Sequence, residues 1–209
     1  MLGTTDFEVF LISGIMLNLT PGSDTMYILS RSITFGKKAG IWSVLGISTG
    51  AVIHTLLAAF GLSVILAKSP VAFEIVKYLG VGYLFYLGIN AILKSKGNEF
   101  VLSSGGQSSS KKIYLEGLLT NLLNPKVALF FLAFLPQFVD STAGLGAIPF
   151  FFLGSTFITT GTIWCLILAV FSSYATDKFR MNPKISLLMN RLCGFVYLAL
   201  GINLLRVRV

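Results

Sequence analysis

Asn18-Leu19-Thr20-Pro21-Gly22-Ser23-Asp24 interrupts one long apolar stretch of this chain, and Asn121-Leu122-Leu123-Asn124-Pro125-Lys126 interrupts another. Each segment places a proline and polar side chains inside what otherwise has the composition of a membrane-spanning helix. Inside a bilayer every backbone polar group needs a partner, so an unwound helix is tolerated only where it faces protein or a wet cavity. Two such breaks at matching places in two halves of a chain indicate a transporter's substrate site.

The composition predicts a membrane protein surrounded by the lipid bilayer. Hydrophobic residues make up 55% of the 209 residues and charged residues 11%, with a mean hydropathy of +0.83. A soluble domain carries about 25% charged residues, so this chain has too little polar surface for water. The net charge of +8 comes from basic residues in short connections between apolar runs, which does not indicate nucleic acid as a partner. The two cysteines, Cys165 and Cys193, form no CxxC pair, and no metal site is predicted.

The apolar runs predict an all-α integral membrane protein with six transmembrane helices. Their expected bounds are residues 6–34, 40–66, 71–94, 113–138, 147–172 and 186–206. The Ser/Gly-rich stretch 95–112 has the composition of a flexible linker, and we expect it in the cytoplasm. It divides a single transmembrane transporter domain, residues 1–209, into three-helix repeats at 1–94 and 113–209.

The two halves resemble each other at three places. The matched segments are Thr20-Pro21 with Asn124-Pro125, Leu45-Gly46 with Leu153-Gly154, and Gly88-Ile89-Asn90 with Gly201-Ile202-Asn203. Because each half has three helices, the second copy must enter the membrane from the other side. The sequence therefore predicts two inverted repeats, with helices 1 and 4 broken at Pro21-Gly22 and Asn124-Pro125.

The distribution of lysine and arginine predicts the orientation. Eleven of these residues lie after helix 1, in the central linker and before helix 6, whereas four lie on the opposite side. Cytoplasmic loops carry an excess of Lys and Arg, so we expect a multi-pass protein with both termini outside the cytoplasm. No Arg/Ser-rich transit segment is present, which favours a bacterial or archaeal plasma membrane over that of an organelle.

The breaks hold the residues that we expect to bind substrate or to couple transport. Pro21 and Pro125 each remove a backbone donor, and Gly22 is predicted to supply backbone angles closed to other residues. The amides after a break begin a half-helix, whose positive end suits a carboxylate. The predicted substrate-binding or coupling residues are Asn18, Thr20, Pro21, Gly22, Ser23, Asp24, Asn124, Pro125 and Lys126.

Asp24 and Lys126 are the charges least expected inside a span. Each costs roughly 2.5–3.5 kcal/mol at a span centre, and such residues usually face the bundle interior with a partner. The two are predicted to pair across the pseudo-twofold axis or to bind the two charged groups of an amino acid. Asp24 is alternatively the protonation site that couples export to the proton gradient, and a purely structural ion pair stays open.

Two further features lie on predicted helix 2. His54, the one histidine of the sequence, is a candidate proton relay because imidazole titrates near neutral pH, although a lone histidine in a span is more often hydrogen-bonded packing. Gly46 and Gly50 are four residues apart, a spacing of small residues that lets a neighbouring helix approach closely. Such a face also suits dimerisation, so a homo-oligomer is left open.

Longer stretches of the sequence resemble the LysE/RhtB family of bacterial amino-acid exporters. The most specific of them is Gly117-Leu118-Leu119-Thr120-Asn121-Leu122-Leu123-Asn124-Pro125-Lys126, which runs into Phe131-Leu132-Ala133-Phe134-Leu135-Pro136-Gln137-Phe138. The likeness covers nearly the whole chain. It implies a six-helix inner-membrane carrier that exports amino acids or close derivatives by proton exchange.

The resemblance also implies site residues. The first family motif falls on Pro21, Gly22 and Asp24, and the second falls on Asn124, Pro125 and Lys126. Ser23 departs from the family pattern, which commonly has a second proline at this place. The resemblance therefore does not imply which amino acid is carried.

Together, the residues and the resemblance predict a secondary active exporter with alternating access around a midplane site, and not an enzyme. No phosphate-binding loop motif is present, so we expect no cofactor and the proton gradient as the energy source. A metal-ion or other small-metabolite exporter of the same superfamily is an alternative, as is a non-enzymatic membrane assembly subunit.

Overall fold

The computed structural model describes residues 2–62, 70–93 and 109–174, together with seven helical residues between 191 and 205. Within this part the protein is helical, apart from turns, caps and an isolated backbone bridge between Thr4 and Val139. The α-helices are α1 (Phe7–Leu19), α2 (Ser23–Phe35), α3 (Lys37–Leu57), α4 (Pro70–Leu93), α5 (Ser110–Leu122), α6 (Pro125–Leu129) and α7 (Ile148–Tyr174). A π-helical turn extends α3 over Ala58–Leu62, and further turns extend α6 over Phe130–Phe134 and Leu135–Phe138.

The first predicted break separates α1 from α2. Pro21 has no N–H to donate to the carbonyl of Leu17, the acceptor that a continuous helix would give it. Thr20 ends α1: its N–H reaches Met16 and Leu17, and its hydroxyl donates to the Met16 carbonyl at 2.8 Å. The chain then leaves the helix until Ser23 begins α2. The break therefore lies where the sequence predicts it.

The second predicted break separates α5 from α6. Pro125 occupies the first position of α6, where a missing N–H costs no hydrogen bond. Asn124 caps the helix, since its side-chain oxygen accepts the N–H of Lys126 at 3.0 Å. The two helical segments on either side of this break meet at 50°. This break too lies at the predicted place.

Two described helices, Lys37–Leu62 and Ile148–Ser172, are long and apolar enough to cross a membrane, and the bent pair around the second break makes a third candidate. The 24-residue helix α4 matches the predicted helix at 71–94. The predicted sixth helix at 186–206 lies mostly outside the described residues. The six-span inverted repeat therefore stays a prediction.

Helix α5 begins at Ser110, inside the predicted linker and three residues before the predicted start. The hydroxyl of Ser109 accepts the N–H of Lys112 at 3.3 Å and so caps the first turn. The serine run thus ends in a helix-capping residue, which composition alone does not distinguish from a linker residue. Residues 94–108 lie outside the described part.

The two broken helices run in opposite directions. α3 and α7 are antiparallel, because Gly154 meets Thr55 and Gly40 meets Ala169. Helices α1 and α2 follow α7 from end to end: Asn18 donates to Thr160, and Ile28 packs in one cluster with Ala169 further along.

Helices α5 and α6 follow α3 in the same way. Gly50 contacts Asn121, and the ring of His54 stacks on Phe131 at 5.7 Å between centroids. The α1–α2 and α5–α6 segments are consequently antiparallel to each other. They cross at their breaks.

The two ends of this crossing differ in chemistry. At one end, eight phenylalanines form an aromatic cluster, in which Phe10 and Phe138 lie 5.3 Å apart; its members are Phe7, Phe10, Phe130, Phe131, Phe134, Phe138, Phe152 and Phe157. At the other end α2 finishes while α3 and α5 begin, which brings together Arg31, Lys37, Lys38, Lys111 and Lys112. We refer to this second end as the basic end.

Helices α3 and α5 are packed almost backbone against backbone. A Cβ atom on Gly46 would overlap the backbone carbonyl of Tyr114, and one on Gly117 would lie 2.9 Å from the carbonyl oxygen of Ser43. Gly50 leaves room for the side chain of Asn121 in the same way. The close helix approach predicted from Gly46 and Gly50 is thus confirmed within the chain.

Replacing Gly46 by alanine is expected to destabilise the protein. Because the new methyl group meets backbone, α3 and α5 must separate, and overpacking of this kind costs typically about 1–3 kcal/mol. Gly82→Ala is the matched control, since a Cβ there meets no described atom within 4 Å. Thermal unfolding in detergent should show a lower midpoint for Gly46→Ala and an unchanged or higher one for Gly82→Ala. Equal midpoints would contradict the close contact.

Candidate functional site

The side chain of Lys126 joins the two breaks. Its ammonium donates to the carbonyl oxygen of Leu17 at 3.2 Å and to that of Thr20 at 3.1 Å. The Leu17 carbonyl is the one left by Pro21, and the Thr20 carbonyl is left where α1 stops. A cation at this place also complements the negative end of the α1 dipole. Lys126, from the second break, thus caps the carboxyl end of α1, which ends at the first break.

Gly22 is needed for space rather than for its backbone angles. Its φ of −147° and ψ of −169° are extended values that other residues also adopt, so the predicted role is wrong in this respect. A Cβ at Gly22 would instead lie 3.2 Å from the Nζ atom and 3.4 Å from the Cε atom of Lys126. The glycine lets the lysine side chain lie against the unwound backbone.

Asp24 lies in the first turn of α2 and is 9% exposed. One carboxylate oxygen, Oδ2, accepts a hydrogen bond of 2.8 Å from the side-chain amide of Asn121, which is 2% exposed. The other oxygen of Asp24 and the side-chain oxygen of Asn121 are both buried without a hydrogen-bond partner among the described residues. Two buried acceptors, one of them on a carboxylate, suit a ligand that brings N–H or O–H donors.

Comparisons with known proteins identify the family of this chain. The family model for LysE type translocators matches residues 15–208. This chain belongs to the LysE translocator family. It is therefore a membrane transport protein rather than an enzyme.

The translocator has relatives that match almost end to end. It is 33% identical over 196 residues to the uncharacterized membrane protein YrhP of Bacillus subtilis (strain 168), covering 90% of this chain and 92% of that protein. It is 31% identical over 208 residues to a protein named leucine efflux protein in Salmonella choleraesuis (strain SC-B67), covering 97% and 95%. The leucine efflux protein of Salmonella typhimurium (strain LT2) shows the same identity and coverage. No solved structure matches.

Asn121 is a candidate site residue that the sequence analysis missed. Its backbone carbonyl lies 3.4 Å from Nε2 of His54, and Gly50 gives its side chain room on α3. The contact of His54 with the site thus runs through Asn121 to Asp24. A relay through His54 stays a prediction. A signal was present in the sequence, because an asparagine precedes each break by three or four residues.

Some of the other predicted residues lie at the crossing, whereas Asn18 and Ser23 do not contribute to it. Asn18 turns away from the crossing towards α7, where its amide donates to Thr160 at 3.1 Å. Ser23 is exposed at the start of α2. The Nδ2 atom of Asn124 is buried without a described partner. The structure thus brings together Thr20, Gly22, Asp24, Asn124 and Lys126 beside the two prolines, and it adds Asn121.

The two charged groups at the crossing each have their own contacts. Lys126 is bonded to the carbonyls at the end of α1, while Asp24 is bonded to Asn121 on α5. The direct pairing of Asp24 with Lys126 stays a prediction. The arrangement offers buried oxygen acceptors and a positively charged group within one region of the crossing.

Proposed function

We propose that the translocator exports amino acids out of the bacterial cytoplasm by secondary active transport in exchange for protons. The observation that carries the proposal is that Asp24 and Lys126 both lie at the crossing of two antiparallel broken helices, each with its own hydrogen-bond partners. Relatives that match 95% of their own length are named leucine efflux proteins, which supports an amino acid as the substrate. Leucine is therefore the first substrate to test.

The crossing suits the two charged groups of an amino acid. The unpartnered oxygens of Asp24 and Asn121 accept hydrogen bonds from the substrate ammonium group. The substrate carboxylate lies towards Lys126 and the first-turn amides of α2, where the helix dipole favours negative charge. The start of α2 suits this role because Gly22 has no side chain to accept from those amides.

Asp24 is also the proposed place of the coupling proton. Its carboxylate is buried at the crossing, so replacing the substrate ammonium group by a proton keeps the charge at this carboxylate balanced during the return step. The basic end faces the cytoplasm, because it carries five of the positive charges that the translocator keeps on one side. Both termini then lie outside the cytoplasm, and alternating access takes place around the crossing.

Efflux from cells loaded with a leucine-containing dipeptide tests the proposal. Intracellular peptidases release leucine, and cells that make the translocator should export it much faster than cells with an empty vector. A protonophore should abolish the difference, since the proton gradient drives the export. Loading with dipeptides of other amino acids then defines the substrate range.

A negative result would be equally clear. If no amino acid leaves faster although the protein is present in the membrane, the amino-acid proposal fails. Export that a protonophore leaves unchanged would contradict proton coupling alone.

A further inference from the structure

A polar cluster joins α2 to α5 between the crossing and the basic end. The guanidinium of Arg31 and the carboxylate of Glu116 form an ion pair of 2.7 Å, with side chains 15% and 34% exposed. The hydroxyl of Tyr27 lies 2.8 Å from the carbonyl oxygen of Ile113 and 3.2 Å from the same carboxylate. Tyr27, Arg31, Ile113 and Glu116 are the members of this polar cluster.

Aromatic rings hold the arginine of the cluster in place. The guanidinium carbon of Arg31 lies 5.2 Å from the ring centre of Tyr27 and 5.7 Å from that of Phe35. Both distances are within the range of cation–π attraction. Tyr27 and Arg31 follow Asp24 by one and two helical turns on α2. The cluster therefore covers the side of the site that faces the basic end.

The opposite side of the site is closed in a different way. There the aromatic cluster fills the space between α1 and the segment after α6, and the backbone of Thr5 donates to the carbonyl of Phe138 at 3.0 Å. Separating these rings exposes a large apolar area. The ion pair and the tyrosine hydroxyl, by contrast, can exchange their partners for water when α2 and α5 part, so opening this side exposes polar groups rather than a large apolar area. The polar cluster is the closure that opens more easily.

We propose that the polar cluster is the cytoplasmic gate of the translocator. Substrate enters from the cytoplasm when α2 moves away from α5 and the Arg31–Glu116 pair separates. The pair forms again when the site becomes accessible from outside the cell. Helix α5 stays with α3 during this step, because the two backbones are in close contact at Gly46. The inference rests on the proposed export function, since a gate acts only in a chain that transports.

Reversible crosslinking tests the gate. Arg31→Cys and Glu116→Cys are combined, and the protein is placed in liposomes loaded with leucine under a proton gradient. Closing the pair with a short bis(methanethiosulfonate) reagent, which forms a disulfide with each cysteine and releases methanesulfinate, should bring leucine flux down to that of liposomes without protein, and reduction should restore it. An ion pair with a purely structural role predicts unchanged flux in the crosslinked protein, and that result would overturn the proposal.

Three comparisons make the outcome specific. Thr49→Cys with Tyr114→Cys links α3 to α5, since the hydroxyls of Thr49 and Tyr114 lie 3.1 Å apart. Crosslinking this pair should leave flux unchanged because these helices move together. Wild-type protein treated with the reagent shows the effect of the native cysteines. If the first pair does not accumulate, Tyr27→Cys with Ile113→Cys crosses the same contact, and persistent flux in its crosslinked form overturns the gate. Absence of leucine flux in untreated wild-type protein would count against the export function instead.

Discussion

Export is lost when Lys126 is replaced by methionine, a side chain of similar length without the charge. The carbonyl oxygen of Thr20 then loses its donor at the end of α1, while that of Leu17 keeps only the N–H of Thr20. A buried acceptor left without a partner costs about 1–3 kcal/mol, and the substrate carboxylate loses its positive group. We expect export to fall about 100-fold, which corresponds to ~2.8 kcal/mol. Efflux from dipeptide-loaded cells, normalised to the amount of protein in the membrane, measures the change.

Lys111→Met is the matched control for this variant. Lys111 is exposed in the first turn of α5, away from the breaks, so the same substitution there should leave export near the wild-type rate. If Lys126→Met exports nearly as fast as Lys111→Met, the crossing is not the substrate site.

Asp24→Asn is expected to abolish both net export and exchange of leucine across the membrane. The substitution keeps the size of the side chain but removes the negative charge. The substrate ammonium group then lacks its counterpart, and a buried charge in that state costs about 2–5 kcal/mol. Counterflow in liposomes with leucine on both sides separates the two proposed roles of this carboxylate. If Asp24 binds the substrate ammonium, counterflow is lost as well. If it carries only the proton, counterflow survives while uphill export stops.

The control for Asp24→Asn is Asp140→Asn. Asp140 caps a short turn outside the helices by accepting from Thr142, and its substitution should leave both measurements unchanged. Wild-type rates of export and counterflow in Asp24→Asn would contradict the proposed site. Restoration of transport by Asp24→Lys combined with Lys126→Asp would show a structural ion pair without specific chemistry.

The positions of the breaks could be predicted because proline acts locally. Pro21 and Pro125 lack the backbone donor wherever they occur, so the ends of α1 and α5 follow from the sequence alone. The apolar runs likewise predicted α4 and α7 within about two residues of their bounds.

The partners of the site residues could not be predicted, because they depend on how separate helices pack. Nothing local indicates that Lys126 reaches back to the carbonyls of α1, or that Asp24 meets Asn121 from the other half. The role of Gly22 was misjudged for the same reason. Its local angles are ordinary, and only the approach of Lys126 requires a glycine there.

The opposite charges at the crossing have a consequence for the origin of the chain. Asp24 belongs to the first half and Lys126 to the second, and each lies beside the break of its own half. An assembly of two identical halves would place two carboxylates or two ammonium groups at the same crossing, and like charges there would repel each other. On the predicted inverted repeat, the two halves are thus complementary rather than interchangeable, and this site requires both of them.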